Sequence, residues 1–207
     1  MTVRWQLRHL RIRAVLLLAA SFICKPALAE APSQPSGLCE REISRAAAKY
    51  GIPEGILYSV GLTETGRKGS LQPYAMNVEG KALFPQSLDQ ALRTFVLAKE
   101  NGARLIDIGC MQINQYYHGE NFSSIVDMFD PQKNVDYAAR FLATLHNQHD
   151  TWTMAVARYH AGPNNNPAQK EYVCRVIANL VATGYGNWTA NAWQFCQGEV
   201  GIRQAQR

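Results

Sequence analysis

Apolar residues recur at helical spacing along most of this chain. In CEREISRAAAKY, Ile43, Ala46, Ala47 and Tyr50 fall three and four apart, and Gly51 follows as a stop. Pro53 then opens a second helix, at a position where a missing N–H costs little, and the pattern runs through Leu62 toward Gly66. Ser87 stands as an N-cap for SLDQALRTFVLAKENG, which puts Leu88, Leu92 and Phe95 on one face and ends at Gly102. A further helix is expected near DIGCMQINQYY. Asp130-Pro131 begins PQKNVDYAARFLATLHNQ, with Val135, Ala138, Ala139, Leu142 and Leu145 inward. WTMAVARYHAG and, after an Asn/Pro turn, KEYVCRVIANLVATG complete the helical run.

The periodicity breaks between residues 67 and 86, RKGSLQPYAMNVEGKALFPQ, where Gly and Pro forbid a long helix and VEGKALF suits a small hairpin. Helices, an irregular patch, then more helices predict a mainly α domain with a minor β element. No internal repeat is visible.

The N-terminus changes the reading of charge. Residues 1–29 carry Arg4, Arg8, Arg11, Arg13 and Lys25, no acid, an apolar core AVLLLAASFIC and a closing Ala27-Leu28-Ala29. This predicts a secretory signal peptide cleaved after about Ala29, and hence an exported, periplasmic protein. The apolar core falls short of the ~20 residues that span a bilayer, so no stable membrane anchor is expected. Cys24 belongs to the segment removed. Taking those five cations from 21 basic residues leaves 16, against 16 acidic ones. The mature chain is formally neutral, which gives no footprint for nucleic acid. Residues 30–38, rich in Pro and Ser, read as a linker, residues 39–186 as one domain, and residues 187–207 as a C-terminal tail held through Cys196.

Four cysteines remain, Cys39, Cys110, Cys174 and Cys196. In an exported chain they predict two disulfides, with three pairings open. Their spacing does not suit zinc. Cys110 with His118 or His160 could make a thiol nucleophile and base, but an oxidising compartment favours the disulfide. His146, His149 and Asp150 in HNQHD read as a solvated helix end rather than metal ligands. No metal or cofactor is expected.

One acid stands out. Ile56, Val60 and Glu64 lie four apart, on one helical face, with Gly66 directly behind. That face must bury, which puts Glu64 at the rim of the core, partly stripped of water yet open to a cleft. Desolvation disfavours the charged carboxylate, and a carboxyl that keeps its proton near neutrality can give it to a leaving oxygen. Spacing alone equally allows a solvated Glu64 paired to Arg67 or Lys68.

Three further stretches follow the Glu64-Thr65-Gly66 triplet in order: GCMQIN at 109–114, ARYHAG at 157–162 and YVCRV at 172–176. Together they resemble the lytic transglycosylases with a soluble-type catalytic domain, relatives of goose-type lysozyme, over roughly residues 39–185. The resemblance implies a lysozyme-like α+β fold, a helical bundle around a glycan cleft. It implies non-hydrolytic cleavage of the β-1,4 bond between N-acetylmuramic acid and N-acetylglucosamine in peptidoglycan. Glu64 matches the single catalytic acid/base. Met111, Gln112 and Asn114 match the cleft-lining segment, Tyr159 the A-Y-N-x-G segment, and Tyr172 the tyrosine whose hydroxyl meets the glutamate. Asn77 is expected to border the groove, with Tyr116, Tyr117 and His118 beside it. Thr65 stands where serine is more usual, Cys110 where Leu is common, and His160 where the family carries Asn. A subgroup with paired cysteines implies Cys39–Cys110, which leaves Cys174–Cys196.

A retaining or inverting hydrolase would need a second carboxylate. Asp107 is the best candidate, though it reads more simply as a turn or cap residue before the GCMQIN helix. Asp127 and Asp130 read as caps, and Asp136 as part of a polar face. The rival readings are a hydrolytic muramidase and a non-catalytic peptidoglycan-binding protein. By family analogy, the partner of such a small enzyme is a secretion, conjugation, pilus or flagellar apparatus.

Overall fold

The structure is a computed structural model that describes residues 37–198. The expected signal segment, Cys24, most of the linker and the end of the tail lie outside them.

Five helices close a ring. α1 (Leu38–Tyr50) packs on α2 (Glu54–Thr65), α2 on α8 (Asn166–Ala182), α8 on α7 (Trp152–Ala161), α7 on α6 (Pro131–His149), and α6 returns to α1. Their apolar faces meet in one core. Ile43, Leu57, Val60, Val135, Ala138, Ala139, Leu142 and Ala155 are all buried there, largely as the periodicity requires. Local chemistry sets the helix ends. Asp130 accepts from the Lys133 N–H and Pro131 takes the first turn of α6. Thr151 caps α7 by accepting from the Met154 N–H. Asp136 leaves its own helix to bind Lys49 and the Tyr50 hydroxyl on α1 at 2.6 and 2.9 Å. These contacts tie α6 to α1 at the solvent edge.

The β element is a four-stranded antiparallel sheet in the order β2-β1-β3-β4. β1 (Met76–Val78) and β2 (Lys81–Leu83) form the expected hairpin around Glu79-Gly80. β3 (Ile106–Ile108) pairs with β1, and β4 (Ile113–Asn114) with β3. Glu79 accepts from the backbone N–H groups of Arg104 and Leu105 at 2.7 and 2.9 Å, which fixes where the chain re-enters the sheet after α3 (Leu88–Glu100).

Three expectations are corrected. GCMQIN is not helical: residues 109–112 form a tight turn and Ile113-Asn114 a strand, and only α4 (Gln115–His118) follows. Gly109 (φ 80°) and Gln112 (φ 47°) both adopt left-handed backbone, which a right-handed helix cannot contain. Asp107 therefore caps no helix but lies in β3, paired with Asn77 and Asn114. The short α5 (Ile125–Phe129) was not expected. Its cap is Ser124, while Asp127 instead pairs with Lys133 at 2.7 Å.

Among the described residues two disulfides are present, Cys39–Cys110 and Cys174–Cys196. The second pins α9 (Ala190–Cys196), where Trp193 stacks on Trp188. The first joins α1 to the 109–112 turn across a sequence separation of 71. Closing a loop of that length restricts the unfolded chain, so the double variant Cys39→Ala/Cys110→Ala should lose about 4 kcal/mol of stability in urea denaturation. A loss below about 1 kcal/mol would mean that this crosslink does not limit the unfolded ensemble.

Candidate active site

α2 delivers Glu64 in its last turn. Gly66 is needed behind it because the chain folds back there: a Cβ on Gly66 would stand 2.3 Å from the Leu62 carbonyl oxygen. Glu64 reaches a cleft of about 860 Å3 whose walls come from α2, the sheet, α7 and α8. It makes no ion pair with Arg67 or Lys68 among the described residues, and Arg67 instead lies over the Phe84 ring. Its partner is Tyr172 of α8, fully buried, whose hydroxyl donates to Glu64 Oε1 at 2.5 Å. Burial and the neighbouring Glu64 charge push the Tyr172 phenol well above its ordinary 10, so at neutral pH it keeps its proton and can donate it to Glu64.

Burial raises the Glu64 carboxyl from 4.5 to about 7. The Tyr172 hydrogen bond and Arg175 pull the other way, while the Asp107 charge adds to the rise. With Oε1 occupied by Tyr172, the second carboxyl oxygen is left to carry the proton. Near neutrality the group thus sits close to half-protonated, the condition under which one carboxyl can both give and take a proton.

The turn after β3 supports this site. Its anchor is Asn134 of α6, wholly buried, whose side-chain oxygen accepts from the Met111 N–H at 2.9 Å. The Asn134 amide nitrogen donates to the carbonyls of Ile108 and Met128, each at 2.9 Å. Gly109 must lack a side chain, since a Cβ would meet the Asn134 amide nitrogen at 2.6 Å. Thr65 donates to the Cys110 carbonyl at 2.9 Å, and Tyr159 to the Met111 carbonyl at 2.8 Å. The turn is thus held by α2, α6, α7 and, through the disulfide, α1.

Most of the residues singled out from sequence meet in this cleft. Glu64, Asn77, Gln112, Asn114, Tyr159, His160 and Tyr172 all line it, with Tyr117 and His118 at one end. Asn114 also caps α4 and donates to Asp107 at 2.7 Å. Gln112 spends its amide nitrogen on the carbonyls of Ala75 and Gly109. Thr65 and Met111 do not line the cleft: both are buried behind it, Thr65 at 3% exposure and Met111 at 0%. Tyr116 stands outside, held by Arg104.

Sequence reasoning missed several cleft residues. Arg175 lies one helical turn after Tyr172, with its guanidinium 5.7 Å from that ring, a spacing that could have flagged it. Phe141 and Arg158 line the wall without any local signal. Asp107, the best sequence candidate for a second carboxylate although it reads more simply as a cap, does stand in the cleft. It faces the cleft from β3, partly buried, and burial raises its carboxyl above the ordinary 3.8 despite the Asn114 hydrogen bond.

The sequence pattern of the family described as Transglycosylase SLT domain matches residues 41–179, which includes every cleft residue named above. No curated protein and no solved structure matches the chain.

Proposed function

We propose a specific reaction for this chain, which belongs to the transglycosylase SLT family and so to the peptidoglycan lytic transglycosylases: Glu64 breaks the N-acetylmuramic acid–β-1,4–N-acetylglucosamine bond without water. The observation that carries the reading is one cleft carboxyl raised to about 7 and held by the Tyr172 hydroxyl. Protonated Glu64 gives its proton to the glycosidic oxygen as the C1–O bond breaks. The sugar's own 2-acetamido oxygen covers C1 as positive charge develops. Glu64, now a carboxylate and steadied by Tyr172, takes the proton of the C6 hydroxyl. The C6 oxygen bonds to C1, displaces the acetamido group and closes a 1,6-anhydro ring. Protons balance, since the one lent to the leaving sugar is replaced by the one taken from C6. Lysozyme-like placement of the acid beside a sheet supports this geometry.

Asp107 favours a second reading. A carboxylate in the same cleft could orient a water or support C1, and then the enzyme would be a hydrolytic muramidase. Digestion of purified sacculi followed by mass analysis of the ends decides between them. Anhydro ends are expected. Reducing ends instead would assign a hydrolase, and undigested sacculi a non-catalytic peptidoglycan binder. We further propose action on the periplasmic wall, in the service of a secretion, conjugation, pilus or flagellar apparatus, on the strength of the expected signal peptide. No described helix is long and apolar enough to cross a membrane.

A further inference from the structure

His160 has a geometry that the reaction above does not use. Its ring lies parallel to that of Tyr172, with centroids 4.2 Å apart and planes 2° from coincident. Tyr172 is the residue that donates to Glu64. His160, Tyr172 and Glu64 thus follow one another along the wall of a single cleft, the first stacked on the second and the second bonded to the third.

We propose that His160 is a positioning residue that pins the Tyr172 ring, and thereby aims its hydroxyl at Glu64, only while the imidazole is neutral. This rests on the reading of Glu64 as the acid/base. A phenol fixed by a single hydrogen bond can still rock about its side-chain bonds. A flat partner on the ring face removes that freedom, and small losses of alignment cost heavily in proton transfer.

The surroundings say which charge state the stack prefers. His160 is exposed on its cleft side, but partial desolvation and the Arg175 guanidinium lower it below the ordinary 6.5, while Glu171 acts the other way. Arg158 and Tyr159 flank it on its own helix. Tyr172, Arg175 and Glu171 come from α8, Glu64 stands beyond Tyr172 on α2, and Asp107 faces the same cleft from β3. A proton on the ring creates a positive charge that the Arg175 guanidinium repels and that is better solvated away from the stack. Acid therefore loosens Tyr172. The predicted profile of kcat is a bell: activity falls above about 7 as Glu64 loses its proton, and falls again below 6.5 as His160 gains one.

Two substitutions test this. His160→Ala removes the flat partner, and kcat should drop roughly tenfold to a hundredfold with KM little changed. His160→Phe keeps a flat ring that cannot titrate. It should rescue kcat at pH 7, and its acid-side fall should move to lower pH or disappear. A second readout is independent of turnover. The Tyr172 ring resonances of the wild type should titrate in two steps, one near 7 from Glu64 and one below 6.5 from His160. The second step should vanish in His160→Phe. An unshifted acid limb in His160→Phe, or a second step that persists there, overturns the role of His160. Sacculi left without anhydro ends by the wild type would instead overturn the proposed reaction, and the two-step titration would still decide the stack.

Discussion

On the proposed reaction, Glu64→Gln should remove anhydro-end production, with turnover falling by roughly a thousandfold, and at the same time stabilise the protein at alkaline pH. Both effects come from one carboxyl. Glutamine keeps the shape and still accepts from Tyr172, but it can neither lend nor reclaim a proton. The stability effect follows from linkage. The folded state raises Glu64 from 4.5 to about 7, so between those values the folded protein holds a proton that the unfolded chain has released. In that window the unfolded state binds fewer protons, and stability falls as pH rises. A shift of that size corresponds to about 3 kcal/mol, lost by pH 8 in the wild type and absent from the variant. At pH 4 both side chains are neutral and the two proteins should unfold alike. Urea denaturation at pH 4 and pH 8, beside analysis of digested sacculi, checks both halves. Anhydro ends from the variant, or a wild-type stability that stays flat across the window, would remove Glu64 from its assigned place.

Asn134→Ala is expected to be the most damaging single change away from the acid. It strands the Met111 N–H and the carbonyls of Ile108 and Met128, all tied by this one amide. Buried polar groups left without partners cost about 1–3 kcal/mol each, and relaxation recovers part of that, so a loss of about 3–5 kcal/mol is expected. Activity should fall too, measured at a temperature where the variant stays folded, because the turn carrying Gln112 loses its anchor on α6. A loss of under about 1 kcal/mol would show that the turn is held without Asn134.

The sequence made the long helices legible and the short elements not. α6 carries five inward apolar residues, an Asp cap and Pro in its first turn, so pattern and punctuation agree. β3 and β4 have three and two residues, too few for any period to show. The conformation of β3 is set by pairing with β1, contributed from some 30 positions earlier, and that of β4 by pairing with β3. That is why Asp107 reads locally as a cap and stands in space on the cleft wall. Motif likeness has a different limit. GCMQIN and the Glu64-Thr65 pair each mix residues that face the cleft with residues that hold the wall up, and a string of letters does not separate them. Gln112 and Asn114 face inward to the groove, whereas Met111 and Thr65 face the core. Asn134, the tie that orders this turn, sits in an ordinary amphipathic helix where nothing local marks it.

The hydrogen bond between Tyr172 and Glu64 spans 108 positions of chain. A polypeptide emerging from the ribosome has already presented its acid long before the eighth helix is translated, yet the carboxyl then sits in water like any other. Lytic competence therefore arrives late and all at once, and a protease nick or truncation that releases the last third of the molecule disarms the acid without touching it.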